Sequence, residues 1–444
     1  MSNAPASAAK MSVRDQAKAA RAAARKLSLL SNEERNSVLL AVAGKTEASA
    51  ARILQANSED CRAAEELVRA GKLSQAAFAR LRVTEKTIRE MVTRLEEVAR
   101  LEDPIGKRLA TTELDEGLIL YKESCPLGVV AVVFESRPDV VPQVSALAFK
   151  SGNAVLLKGG AEAARTNKVL VELWHEALRE FARAPETAVT LLQSRADVME
   201  LLKLKREVDL IVPRGGKEFV EYISENSKVP VLGHGEGICH IYVDSAADLA
   251  KAEAIVMDAK TQYPAACNSM ETLLIHKDVA AKFLPSAAAE LKAAGVELRG
   301  CERTRAILGE MEVKAATETD WTTEYSDLIL SIRVVDSLDA ALEHIAEYGS
   351  FHTESIVTED SNAAERFLNE VDAAGVYHNV STRFADGYRY GLGSEVGISN
   401  SKLHARGPMG MEGLTTYKYK LVGNGHIVAT YSRGERTLRP RKIS

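Results

Sequence analysis

The segment AKTQYPAACNSMETLLIH, residues 259–276, places Cys267 after Pro264, Ala265 and Ala266 and just ahead of an apolar run. Small neighbours leave room for an electrophile, and a thiolate at that point can attack it. Lys260 is the nearest cation in sequence able to stabilise such a thiolate. The same stretch also fits an inert buried cysteine, since free cysteines are among the most buried residue types. Cys61, Cys125, Cys239 and Cys301 lie in helical or strand-like sequence and read as structural.

Two glycine pairs point to phosphate binding. PRGGKEF, Pro213–Phe219, follows an apolar strand and leads into a helix, so Gly215 and Gly216 let backbone N–H groups approach an anion at the helix start. The spacing is not GxGxxG, and a plain tight turn fits as well. In LLKGGAEAARTN a lysine, Lys158, ends a strand and is followed by Gly159 and Gly160. An acidic residue there would favour the ribose 2′-hydroxyl of NAD, so a lysine leans towards NADP. Glu162 weakens that lean, and a lysine that merely caps its strand is the alternative. Further on, Asn379, Ser381, Thr382, Arg383, His404 and Arg406 gather among glycines. Arginines suit carboxylate and phosphate, although some of these charges can simply pair with one another.

These residues need a frame. At 444 residues the chain is long for one core and suggests two domains. Lys+Arg 57 against Asp+Glu 62 gives a net charge of -5, which offers no basic surface for nucleic acid or anionic lipid. The start lacks a secretory h-region, and no stretch approaches the ~18 apolar residues of a membrane span, so a soluble cytoplasmic protein is expected. Five widely spaced cysteines without CxxC argue against disulfides and structural zinc, and no metal site is expected.

Residues 13–100 are rich in Ala, Leu, Glu, Lys and Arg and read as several helices, one opened by Ser31 with Glu34 in capping-box spacing or by Asn32 as the alternative cap. GLILYKESCPLG reads as two short strands or a hairpin. From VVAVVF onward, apolar strands alternate with amphipathic helices, which implies parallel sheets covered on both faces. A second α/β series follows VPVLGHGEGICHIYVD. The glycine-rich stretch 387–413 reads as a functional loop, GLTTYKYKLVGNGHIV as β-type, and SRGERTLRPRKIS as frayed.

VVFESRPDVVPQVSALAFKSGNAVLLKGG, DLIVPRGGKEFV, VPVLGHGEGICHIYVD, DAKTQYPAACNSMETLLIH and STRFADGYRYGLGSEVGISNSKLHARGPMGMEGL resemble the signature segments of the γ-glutamyl phosphate reductases, within the aldehyde dehydrogenase superfamily. The resemblance covers about residues 120–420. It implies two doubly wound α/β domains plus a small β oligomerisation element: residues 1–105 and 128–235 for NADP, 236–412 for catalysis, and 106–127 with 413–444 for assembly. It also implies NADPH-dependent reduction of L-glutamyl 5-phosphate to the semialdehyde, a phosphorylating glutamate-5-semialdehyde dehydrogenase of proline synthesis. By the same resemblance Cys267 is the nucleophile, Lys158 and Gly159 lie at the adenosine ribose, Gly215 and Gly216 at the pyrophosphate, and Glu324 at the nicotinamide ribose. A homodimer or homotetramer is implied, and the lability of acyl phosphates makes a glutamate kinase a conceivable partner.

The usual water-activating glutamate of aldehyde dehydrogenases corresponds to Leu232, with Glu236 out of register. The usual oxyanion Asn is replaced in FESRP, so Ser136, Asn268 and the Cys267 N–H are the candidate donors. For the leaving phosphate the candidates are Arg137, Lys260 and Arg406. Arg383 with Asn379, Ser381 and Thr382 would hold the glutamyl carboxylate, and Glu135 or Asp386 the ammonium.

Overall fold

Strands whose every residue is apolar must be covered on both faces, and the chain meets this demand twice with parallel sheets. The computed structural model describes residues 11–233, 236–403 and 405–443. It divides into two units: residues up to Leu232 with Gly393–Gly397 and Met409–Ser444, and Gly233–Leu392 with Ile398–Pro408.

In the first unit, Val189–Leu191, Ala154–Lys158, Val129–Phe134 and Leu210–Arg214 lie side by side in that order, all parallel. Val129–Phe134 is buried at every residue, and so is the helix Val140–Lys150 that follows it. The chain starts at Val129–Phe134, moves outward twice, then returns to the other side as Leu210–Arg214. That reversal makes a crevice at the carboxyl ends of two neighbouring strands, the usual ligand position in open α/β sheets. Among the described residues five helices precede the sheet, and the capping box forms at Ser31. Glu34 N–H donates to Ser31 Oγ at 3.2 Å and Ser31 N–H to Glu34 Oε2 at 2.7 Å.

An antiparallel sheet in the same unit has the order Thr415–Val422, Leu118–Pro126, Arg108–Asp115, Arg441–Lys442. Leu118–Pro126 is one continuous strand of a hairpin rather than two short ones. The tail corrects a second expectation. Within the stretch expected to fray, Arg441–Lys442 form a fourth strand, and Arg436 on Asp115 and Arg441 on Glu113 hold it, with Tyr431 of the preceding helix Val428–Ser432 also on Asp115. Those partners are more than 300 residues away in sequence, so no local signal announces them.

The second unit is a seven-stranded parallel sheet: Lys314–Ala315, Glu297–Gly300, Ile329–Val335, Met270–His276, Cys239–Val243, Thr353–Val357, Gly375–His378. Its core joins Ile241, Leu273 and Ile332 to the helices Leu249–Thr261 and Lys277–Ala293. The α/β bodies and the small antiparallel sheet are therefore those expected. Among the described residues, no helix is long and apolar enough to cross a membrane.

Candidate active site

In the first unit, the crevice is bordered by Glu135–Arg137 after one strand and by Gly215–Gly216 after its neighbour. Gly216 caps the helix Lys217–Asn226, and no side chain occupies the cap; the Phe219 N–H is taken by the Gly216 carbonyl at 3.1 Å, which leaves the first two N–H groups of the turn for an anion. A Cβ at 215 would come 2.7 Å from the Phe219 ring and 2.9 Å from Glu135 Oε2, so any larger residue there would have to displace those side chains. Lys158 ends its strand nearly buried, with Nζ donating to the Gly159 carbonyl. Burial pulls its pKa down, and the Glu162 carboxylate opposes that shift.

Ser136 takes the left-handed conformation, with φ 45°. Its N–H and its hydroxyl both donate to Glu162 Oε1, at 2.7 and 2.8 Å. The hydroxyl proton of Ser136 is thus committed to a carboxylate. Arg137 donates to Asp139 at 3.0 Å and shares it with Arg94 at 3.7 Å, while its side chain stays 38% exposed.

In the second unit, Cys267 lies just ahead of the strand Met270–His276, at the amino edge of the sheet, and is half-buried. Its main chain is gripped from three sides. Gly237 packs against it so closely that a Cβ there would lie 2.7 Å from the Cys267 carbonyl carbon and 2.9 Å from its Cα. The buried Cys239 thiol donates to the Cys267 carbonyl at 3.4 Å, and Thr382 Oγ1 donates to the Asn268 carbonyl at 2.7 Å. Among the described residues nothing accepts from the Cys267 N–H. Asn268 is a weaker donor than expected, because its amide already donates to the Ala385 carbonyl at 2.8 Å.

Arg383 lies within electrostatic reach of Cys267. It is 6% exposed, donates through Nε to Gln262 at 3.0 Å and lies 5.8 Å over the Tyr263 ring. Burial, then Arg389, pull its pKa down, and the Cys267 charge is near enough to oppose them. Ser381 is buried, with its hydroxyl accepting from the Arg383 N–H at 3.3 Å. Glu324 Oε2 accepts from the Gly237 N–H at 2.9 Å, so the expected ribose ligand also braces the backbone that touches Cys267.

Other candidates already have partners. Lys260 is fully buried and pairs with Glu271 at 2.6 Å, sealed from any ligand. Asn379 reverses the chain with φ 56° and bonds the Thr358 N–H and carbonyl at 3.0 Å each, a role asparagine suits because it tolerates that conformation. Thr382 serves the Asn268 main chain. Arg406 pairs with Asp372 at 2.9 Å, which Lys402 also holds. Asp386 caps its own turn by accepting from the Tyr388 and Arg389 N–H groups. His404 lies outside the described residues. Gly237, Cys239, Gln262 and Glu271 were not singled out from sequence; of these, only the glycine-rich VLGHGEG carried a signal, that of backbone approaching something closely.

The family model for the aldehyde dehydrogenase family matches residues 2–305. The γ-glutamyl phosphate reductase of Natronomonas pharaonis is 52% identical over 414 residues, 93% of this chain and 94% of that protein. The protein of the same name from a Cyanothece species is 55% identical over 412 residues, 93% of each. The crystal structure of γ-glutamyl phosphate reductase from Thermotoga maritima superposes with a TM-score of 0.90 at 41% identity, covering 94% of this chain and 100% of that one.

Proposed function

Because the chain belongs to the aldehyde dehydrogenase family and, within it, to the γ-glutamyl phosphate reductases, we propose that it reduces L-glutamyl 5-phosphate with NADPH to L-glutamate 5-semialdehyde and phosphate, in proline synthesis. The observation that carries the reading is the half-buried Cys267 thiol on a main chain clamped by Gly237, Cys239 and Thr382, with Arg383 beside it.

The Cys267 thiolate attacks the acyl carbonyl, a C–S bond forms, and the C–O bond to phosphate breaks with its electron pair leaving on phosphate. The Cys267 N–H receives the oxyanion. Arg383 holds the substrate carboxylate, and Arg137 and Arg406, each partly neutralised by an aspartate, are the candidate phosphate cations. Lys158, Gly159, Gly215 and Gly216 hold the coenzyme, the open helix start suiting its pyrophosphate, and Glu324 holds its nicotinamide ribose. Bound NADPH supplies the hydride. Cys267 then departs as thiolate and frees the aldehyde. Leu232, buried, offers no base to activate water against the thioester.

The reverse assay tests this: NADP reduction by glutamate semialdehyde should require phosphate, and turnover without phosphate would favour a hydrolytic aldehyde dehydrogenase. Gly237→Ala is expected to lower kcat about 100-fold or more, since a displacement of ~1 Å at the nucleophile costs that much. A folded variant with full kcat would show that the contact does not position Cys267. Lys158→Ala is expected to raise KM for NADPH about tenfold while changing that for NADH far less, the mark of a lost charge-assisted bond. Equal effects on both coenzymes would remove the 2′-phosphate role.

Assembly is proposed on the exposed strand Thr415–Val422, which presents Tyr417, Tyr419 and Leu421 on an unpaired edge. Light scattering should report a dimer or tetramer at micromolar concentration, and a monomer would contradict it.

A further inference from the structure

In the first unit, away from any residue given a catalytic role, a cavity of about 540 Å³ opens between the end of the helix Val13–Leu27 and the strands Leu118–Pro126 and Thr415–Val422. Four cations line it: Arg21, Arg25, Arg206 and Lys418. Arg21 is fixed by a two-pronged pair with Asp209, at 2.6 and 2.9 Å, and by a bond to the Arg206 carbonyl at 3.3 Å. Asp209 is itself anchored, because Oδ2 accepts from the Val129 N–H at 2.7 Å. Gly128 makes room for this pair, since it has φ 130° and a Cβ there would lie 2.7 Å from Arg21 Nη1.

The other three cations have no ion-pair partner among the described residues. The helix end near Arg25 contributes only about half a negative charge. Three cations without an ion-pair partner therefore line one small-molecule-sized concavity, opposed by Glu123, which lies across the strand pair from Lys418 and itself holds Lys420. Guanidinium groups at Arg25 and Arg206 suit the paired oxygens of a phosphate, and Lys418 adds a point charge.

We propose that this cavity is a second ligand site, for a small multiply phosphorylated anion. Cys125, half-buried in the cavity wall, provides a reporter that reads this site alone. Alkylation of each cysteine by neutral iodoacetamide would be followed by peptide mass spectrometry, with inorganic pyrophosphate as the probe and NaCl of equal ionic strength as control. Pyrophosphate is expected to slow Cys125 about tenfold at ten times its dissociation constant, by mass action, and to leave the half-buried Cys61 unchanged. The double variant Arg25→Ala/Arg206→Ala, two exposed residues outside the proposed assembly strand whose loss should leave the unfolding midpoint unchanged, is expected to abolish the protection. Protection matched by NaCl, shared by Cys61, retained in the double variant, or absent altogether would overturn the proposal.

Discussion

Cys267→Ala is expected to lose phosphate-dependent NADP reduction by about 10⁴-fold or more in kcat, the usual cost of removing a covalent nucleophile. It should still bind NADPH within about twofold, as read by coenzyme fluorescence, because binding energy and covalent chemistry are separable contributions. The clamp explains why the fold should tolerate the change. Gly237, Cys239 and Thr382 all grip the main chain at Cys267–Asn268 and not the Cys267 side chain. The same geometry separates two cysteines that lie close together. Cys239 is fully buried, its thiol pushed well up by burial and committed to a carbonyl. Cys239→Ser should keep most of the turnover, since a hydroxyl can make the same bond. A Cys267→Ala enzyme with more than about 1% of wild-type turnover would sink the nucleophile assignment.

The parts of the fold that could be read from sequence were those set by neighbours along the chain. The Ser31–Glu34 box, the apolar strand Val129–Phe134 and the glycine turn at Gly215–Gly216 each depend on residues within a few positions. The surroundings of Cys267 depend on other distances. Arg383 reaches Gln262 across 121 residues of sequence, and Thr382 reaches Asn268 across 114. Gly237 and Cys239 come from the adjoining strand end. Loop composition flagged 379–406 as a place for ligand groups, yet it could not tell Arg383, which is buried on Gln262 within electrostatic reach of Cys267, from Asn379, which turns the chain, or Arg406, which pairs with Asp372. Side-chain type states what a residue can bind, whereas the partner that reaches it first is decided by packing.

Lys260 shows the point most sharply, and it carries the second large expectation. Sequence left open whether it tunes the thiolate or receives the phosphate. In the fold it is fully buried against Glu271, whose other oxygen accepts from the Ser326 N–H at 3.2 Å. Burial pushes Lys260 down and Glu271 up to about 7, each opposed by the other. Lys260→Met strands a buried carboxyl and is expected to cost about 3–5 kcal/mol of stability near neutral pH, read from urea unfolding. Without the lysine, the folded pKa of Glu271 rises further above the ordinary 4.5. The folded state then keeps a proton that the unfolded chain has released, so stability falls as pH rises, and the deficit should be smaller at about pH 5 than at about pH 8. Lys260→Met/Glu271→Leu removes both charges and is expected to recover most of the loss, with no such pH slope. If the pair is purely structural, this double variant also keeps its turnover. Lost turnover in a double variant of wild-type stability would return Lys260 to the chemistry.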